Sequence, residues 1–170
     1  VSDLPAGAEH ITVLSRTVSG VIGSALTASL MEKKVFWVGG IEGYKTEELE
    51  NLYWFSADMP EKMQSPRLSR DYRDFDEYCS IAKATQDEKK KQNIRLHDDF
   101  FPHPQKLAIM RRQVVTHEKD AQVTVSTAHR SKGLEWPVVM LSEDFNDITD
   151  PLLSEDERQD ETNLLYVAVT

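Results

Sequence analysis

The sequence predicts an α/β domain built on a parallel sheet with flanking helices. Three observations lead there. A strand–helix–strand order opens the chain, a long middle stretch lacks strand character, and two further strands flank a short polar loop. Parallel neighbours need a connection long enough to return along the sheet, and an amphipathic helix is the usual one.

The elements follow in chain order. Residues 10–14 (HITVL) form a short, mostly apolar run, as a buried strand does. After Ser15-Arg16-Thr17, the apolar positions Val18, Val21, Ile22, Ala25 and Leu26 recur on one face of a period of about 3.6 residues, which predicts a helix. Residues 35–38 read as a second strand, ended by Gly39-Gly40, and residues 47–55 as a helix. Residues 59–120 read as wholly helical. There Tyr72, Phe75, Cys79 and Ala82 share one face, Leu107, Met110 and Val114 share another, and Pro60, Pro66, Pro102 and Pro104 punctuate. The sheet resumes at 122–127, where Val123 and Val125 alternate with polar neighbours, and continues at 137–141. Ser154 and Glu157 have the spacing of a capping box. Residues 164–169 (LLYVAV) are apolar on every side, which predicts a buried helix end. The organisation expected is a first domain segment over 1–58, a small helical insertion over 59–120, and a second segment over 121–170.

At 170 residues with 39% hydrophobic content, the chain fits one compact domain with a real core. No apolar run approaches the ~20 residues that span a bilayer, and no secretory signal opens the chain. The expectation is a cytoplasmic protein, nuclear in a eukaryote, with no membrane contact. A single cysteine, Cys79, excludes a disulfide framework and a thiolate zinc site; the five histidines show no ligand spacing, so no metal site is expected. A net charge of −9 argues against a self-sufficient nucleic-acid binder, since phosphate neutralisation supplies most non-specific affinity. Residues 143–161 hold nine acids against Arg158 alone, read as a solvated loop and helix start. Lys89 to Lys91 and the Arg130/Lys132 pair are local basic points that need partners from elsewhere to hold a phosphate chain.

The informative stretch is residues 126–136 (STAHRSKGLEW), just past the carboxyl end of a predicted strand, where open α/β sheets bind their ligands. Its Ala128–Trp136 portion is too short for an ordinary crossover helix. Gly133 can supply positive φ or bring backbone close to a ligand. Thr127, His129 and Lys132 carry donors suited to a sugar-phosphate chain, and Glu135 can accept from a ribose hydroxyl. An ordinary polar connection fits the same residues, although strand-end loops carry sites disproportionately.

TAHRSKGLEWPVV resembles motif V of the UvrD/Rep family of superfamily 1 DNA helicases. ETNLLYVAVT is similar to the start of motif VI, and LSRT before an amphipathic helix, followed by VGG, to motif IV. GYKTEELENLYWF resembles the helix that comes next. Residues 65–94 (SPRLSRDYRDFDEYCSIAKATQDEKKKQNI) and LSEDFNDI further resemble the F-box DNA helicase branch.

The resemblance implies a RecA-like, P-loop-NTPase-type domain: the second, C-terminal motor domain of an ATP-dependent helicase or translocase. It implies ATP and Mg2+ held mainly by the first, N-terminal motor domain of the same polypeptide, and single-stranded DNA as partner. Arg16 then matches the motif IV arginine that reaches the γ-phosphate, and would act catalytically. Gly133 and Glu135 match the nucleotide side, with Glu135 at the ribose; His129 and Lys132, with Thr127 beside them, match the DNA side. A surface ion pair is the plainer role for Arg16, a lysine-paired edge carboxylate for Glu135, and a structural hydrogen bond for His129. Trp136 reads as a packing anchor rather than a base-stacking platform. Ser15 stands where many members carry an adenine-stacking aromatic, and Val18 where an asparagine is usual.

No G-x-x-x-x-G-K-[ST] loop occurs, and no Asp-Glu pair follows an apolar strand, so the chain alone is expected to be inactive. Two other readings of the same motifs are a fragment of a helicase–nuclease subunit and a degenerate domain kept as a protein-interaction module.

Overall fold

The computed structural model describes residues 9–100 and 104–170. Its four strands are β1 (Ile11–Ser15), β2 (Val35–Trp37), β3 (Val123–Thr127) and β4 (Val139–Leu141). They form one sheet in the order β2-β3-β1-β4, with every pairing parallel. Ile11 faces Val123 and Ser15 faces Thr127 across the central pair. Both central strands are buried along their whole length, so the polar Thr124, Ser126 and Thr127 lie inside alongside the valines.

Helix α1 (Val18–Leu30) returns the chain from β1 to β2, and Thr17 caps it by accepting from the Gly20 N–H. Val21, Ile22, Ala25 and Leu26 are buried as the periodicity predicts, whereas Val18, in the first turn, is exposed. Helix α2 (Thr46–Ser56) follows the turn after β2. The middle contains α3 (Arg67–Asp71), α4 (Phe75–Ala84), α5 (Glu88–Phe100) and α6 (Pro104–Arg112). Tyr72 does not share a helix with Phe75, because Asp74 caps α4 through the Glu77 N–H and the chain breaks before it. Tyr72 packs instead beside Phe75 and Cys79 in a cluster around Leu52, Phe55 and Tyr78.

The middle is bonded into the sheet domain. Leu96 of α5 and Leu107 and Met110 of α6 lie in the same core as Ile11, Val13, Val21, Val35 and Val125. Beyond α6 the chain runs against β2: Val35 donates to the Gln113 carbonyl and accepts from the Val115 N–H, a bridge at Val114 that the helical reading of this stretch did not foresee.

Residues 128–138 connect β3 to β4 without a helix, passing over β1. The final helix, α7 (Glu155–Val169), opens with the capping box expected of Ser154 and Glu157. Its apolar end is only half buried. Leu164 and Ala168 pack on Leu14 and Ala128, but Tyr166 and Val169 remain 67% and 68% exposed. An i, i+4 pair fills the one side that faces the sheet, so continuous apolarity does not translate into continuous burial. No helix among the described residues is long and apolar enough to cross a membrane.

Candidate functional site

Because all four strands are parallel, their carboxyl ends lie along one edge of the sheet. Ser15-Arg16, Trp37 to Gly40, the loop from Ala128 to Trp136, and Ser142 to Asp144 all leave the sheet there. This is the edge at which parallel α/β sheets bind ligands.

Arg16 follows β1 directly. Its backbone N–H donates to Asp144 Oδ1 at 3.0 Å, and its Nε donates to Glu161 Oε1 of α7 at 2.5 Å. The Arg16 side chain is 35% exposed, and its two terminal nitrogens have no hydrogen-bond partner among the described residues. Asp144 also accepts from the Thr17 N–H at 2.8 Å and from the Thr17 hydroxyl at 2.7 Å. A carboxylate in front of the first turn of α1 meets the free N–H groups and positive end of the helix dipole. Ser15 is fully buried at the end of β1, paired with Thr127, and offers no stacking face.

The loop after β3 is tightly turned. Thr127 is buried, its Oγ1 accepting from the Arg130 N–H at 3.3 Å, and Ser131 donates to the Ala128 carbonyl at 2.7 Å. His129 and Lys132 are exposed. Gly133 has φ +81°, a conformation L side chains rarely adopt, and a Cβ there would meet nothing within 4 Å. The backbone demands this glycine, and open space lies in front of it. Glu135 is exposed and lines a cleft of about 250 Å³ with Ser131, Leu134, Trp136 and the end of α7. Arg16 is not among the walls of that cleft. Trp136 donates from its indole N–H to Glu118 Oε1 at 2.5 Å and packs against the Leu14 cluster, as a packing anchor does.

Three contributors are not among the site residues expected from the sequence. Asp144 and Glu161 lie within the acidic run read as solvated, yet Glu161 is 3% exposed and Asp144 holds the start of α1. The third is Arg130. Its guanidinium lies 4.5 Å over the Tyr44 ring, and Nη2 donates to the Gly43 carbonyl at 3.0 Å. A Cβ on Gly43 would come within 2.7 Å of Arg130 Nη1, so only glycine leaves room for this approach. Tyr44 in turn donates to the Val38 carbonyl at 2.8 Å. Burial pushes its phenol above the ordinary tyrosine range, with the Arg130 charge pulling partly back.

Among the described residues no group of three carboxylate, imidazole or thiolate side chains could hold a metal ion.

The model of the UvrD-like helicase C-terminal domain matches residues 25–170 of this chain. The match begins inside α1, leaving β1 and Arg16 just before it, although β1 is a central strand of the same sheet. F-box DNA helicase 1 of Gallus gallus is 24% identical over 180 residues, an alignment covering 94% of this chain and 18% of that protein. The chain therefore spans under a fifth of that relative's length. No solved structure matches the chain.

Proposed function

The chain belongs to the UvrD-like helicase C-terminal domain family, and from that membership we propose that it is the second motor domain of an ATP-dependent DNA helicase, working in the cytoplasm or nucleus. In this reading it supplies one wall of an ATP site closed by a first motor domain, together with part of a single-stranded DNA track. The observation that carries the proposal is the sheet edge, where Arg16 offers two guanidinium nitrogens unengaged among the described residues, beside a loop bearing exposed His129 and Lys132.

The chemistry assigned to each residue follows from its setting. Arg16 meets the γ-phosphate when the two domains close, and neutralises charge that develops as the phosphoryl group transfers. Glu135 accepts from the ribose hydroxyls, and the open backbone at Gly133 lets nucleotide approach. Lys132 and His129 face the DNA backbone, with Thr127 acting through the shape of the loop it ties down. A phosphate loop and a metal-holding acid belong to the first motor domain, so the chain alone hydrolyses no ATP.

Arg16 is the test. An interaction that strengthens in the transition state affects turnover more than nucleotide affinity. In the full-length protein, Arg16→Ala should lower DNA-stimulated kcat by about 10³-fold or more, with little change in the Kd for ATP. Arg16→Lys should rescue little, because the planar fork matters as well as the charge. Steady-state hydrolysis beside stopped-flow ATP binding measures both, and hydrolysis near wild type would remove Arg16 from the site and the proposal with it.

A further inference from the structure

We infer that Glu161 is a positioning residue for Arg16: its buried carboxylate grips the guanidinium through Nε and aims the two terminal nitrogens away from the domain. The inference rests on the role proposed above for Arg16.

Four observations carry it. Glu161 is 3% exposed, in the second turn of α7, and Arg16 Nε is its partner at 2.5 Å across 145 residues of sequence. Burying a carboxylate is costly, and a buried ion pair is seldom worth more to stability than an apolar replacement. The mode of the contact is the second observation. A bidentate pair engages a terminal nitrogen and occupies the fork, whereas contact through Nε leaves both terminal nitrogens unengaged among the described residues. Third, Glu161 Oε2 is buried with no hydrogen-bond partner among the described residues, so the carboxylate has not been satisfied for its own sake. Fourth, the grip is rigid at both ends. Leu164 and Ala168 anchor α7 on Leu14, two residues before Arg16, and the Arg16 N–H is held by Asp144 at 3.0 Å. A long side chain, one-third exposed and otherwise free to change rotamer, is thereby held in one orientation before any ligand arrives.

The inference is tested in the full-length protein with Arg16→Ala, Glu161→Ala, Glu161→Gln and the Arg16→Ala/Glu161→Ala double variant. ATP binding is followed by stopped flow and DNA-stimulated hydrolysis at steady state. Glu161→Ala should lower kcat by about 10²-fold, the scale of a reacting group displaced by about 1 Å, while the Kd for ATP stays near wild type. Glu161→Gln keeps the volume and a carbonyl acceptor for Nε, so it should fold and retain more activity than Glu161→Ala. The double variant should be no slower than Arg16→Ala alone, because a residue acting only through Arg16 has nothing left to act on. Should Arg16→Ala be slow while Glu161→Gln and Glu161→Ala both turn over as wild type, the positioning role is overturned and the site reading survives. The positioning role is equally overturned if the losses multiply in the double variant, the mark of two residues that act independently. Wild-type hydrolysis by Arg16→Ala would overturn both together.

Discussion

Arg130 shows how much of the candidate site is decided by single residues far apart in sequence. Its guanidinium lies over Tyr44 and bonds the Gly43 carbonyl, tying the loop after β3 to the turn after β2. Tyr44 is buried but the Arg130 cation over it is exposed to solvent, and a cation–π contact at such a site contributes about 0.5–1 kcal/mol, with a hydrogen bond from a charged donor adding somewhat more. Arg130→Ala should therefore cost about 1–2 kcal/mol in urea unfolding, and Arg130→Lys should recover only part, having neither fork nor plane. Lys132, two residues on, is exposed and should behave differently. In the full-length protein Lys132→Ala should leave stability unchanged, weaken single-strand binding alike for all sequences, and lower the salt slope by about one unit. An unaltered slope would return Lys132 to the solvated surface. Neither the Tyr44 cradle nor the Arg16–Glu161 pair was legible in sequence, since each joins segments that no periodicity or spacing relates. The motif residues themselves were legible, because they crowd hydroxyl, imidazole, cation, glycine and carboxylate into one short loop between two strands.

Single elements were read well where the apolar pattern has a period and poorly where it has none. Helix α1 follows its apolar face, and the strands follow their short apolar runs. The end of α7 carried no such information, because a run apolar on all sides does not say which side meets the sheet. The acidic run misled for a related reason: composition counts carboxylates without saying which find a donor. Asp144 and Glu161 do, and so does Glu157, which accepts from the Ser154 N–H at 2.9 Å and from its hydroxyl at 2.7 Å. These bonds, led by that to the Ser154 side chain, hold the Glu157 carboxyl below its ordinary value. A depressed folded value means that the contribution is complete above the unfolded pKa of about 4.3 and is lost as pH falls through the folded one. Ser154→Ala removes the cap of α7 and should cost about 1 kcal/mol at neutral pH. The gap between wild type and variant should narrow as urea titrations move from pH 7 toward acid. A gap of equal size throughout would show that the carboxylate takes no part in the cap.

At the scale of the whole molecule, the question is whether residues 59–120 form a separable insertion or part of one folding unit. Helices α3 and α4 pack with α2 around Leu52, Phe55 and Tyr78, a cluster of their own. Helix α5 joins the two layers, with Ile94 in that cluster and Leu96 in the core of the parallel sheet; Leu107 and Met110 of α6 share that core with α1, and the chain after α6 bonds to the free edge of β2. Removing the whole stretch would expose one face of the sheet and strip β2 of a neighbour. Leu107 is buried to 1% exposure, so Leu107→Ala should cost about 2–5 kcal/mol through lost transfer energy and the cavity left behind. If the domain is one cooperative unit, that loss should move a single transition, with far-ultraviolet circular dichroism and tryptophan fluorescence shifting together. Trp37 lies in the sheet core and Trp54 in α2, so the fluorescence samples both regions. A separable insertion would instead give two transitions, with Leu107→Ala moving one and leaving the other in place. Coincident shifts by both probes would show that helices from the middle of the sequence complete the layer that holds β1, and with it Arg16, at the sheet edge.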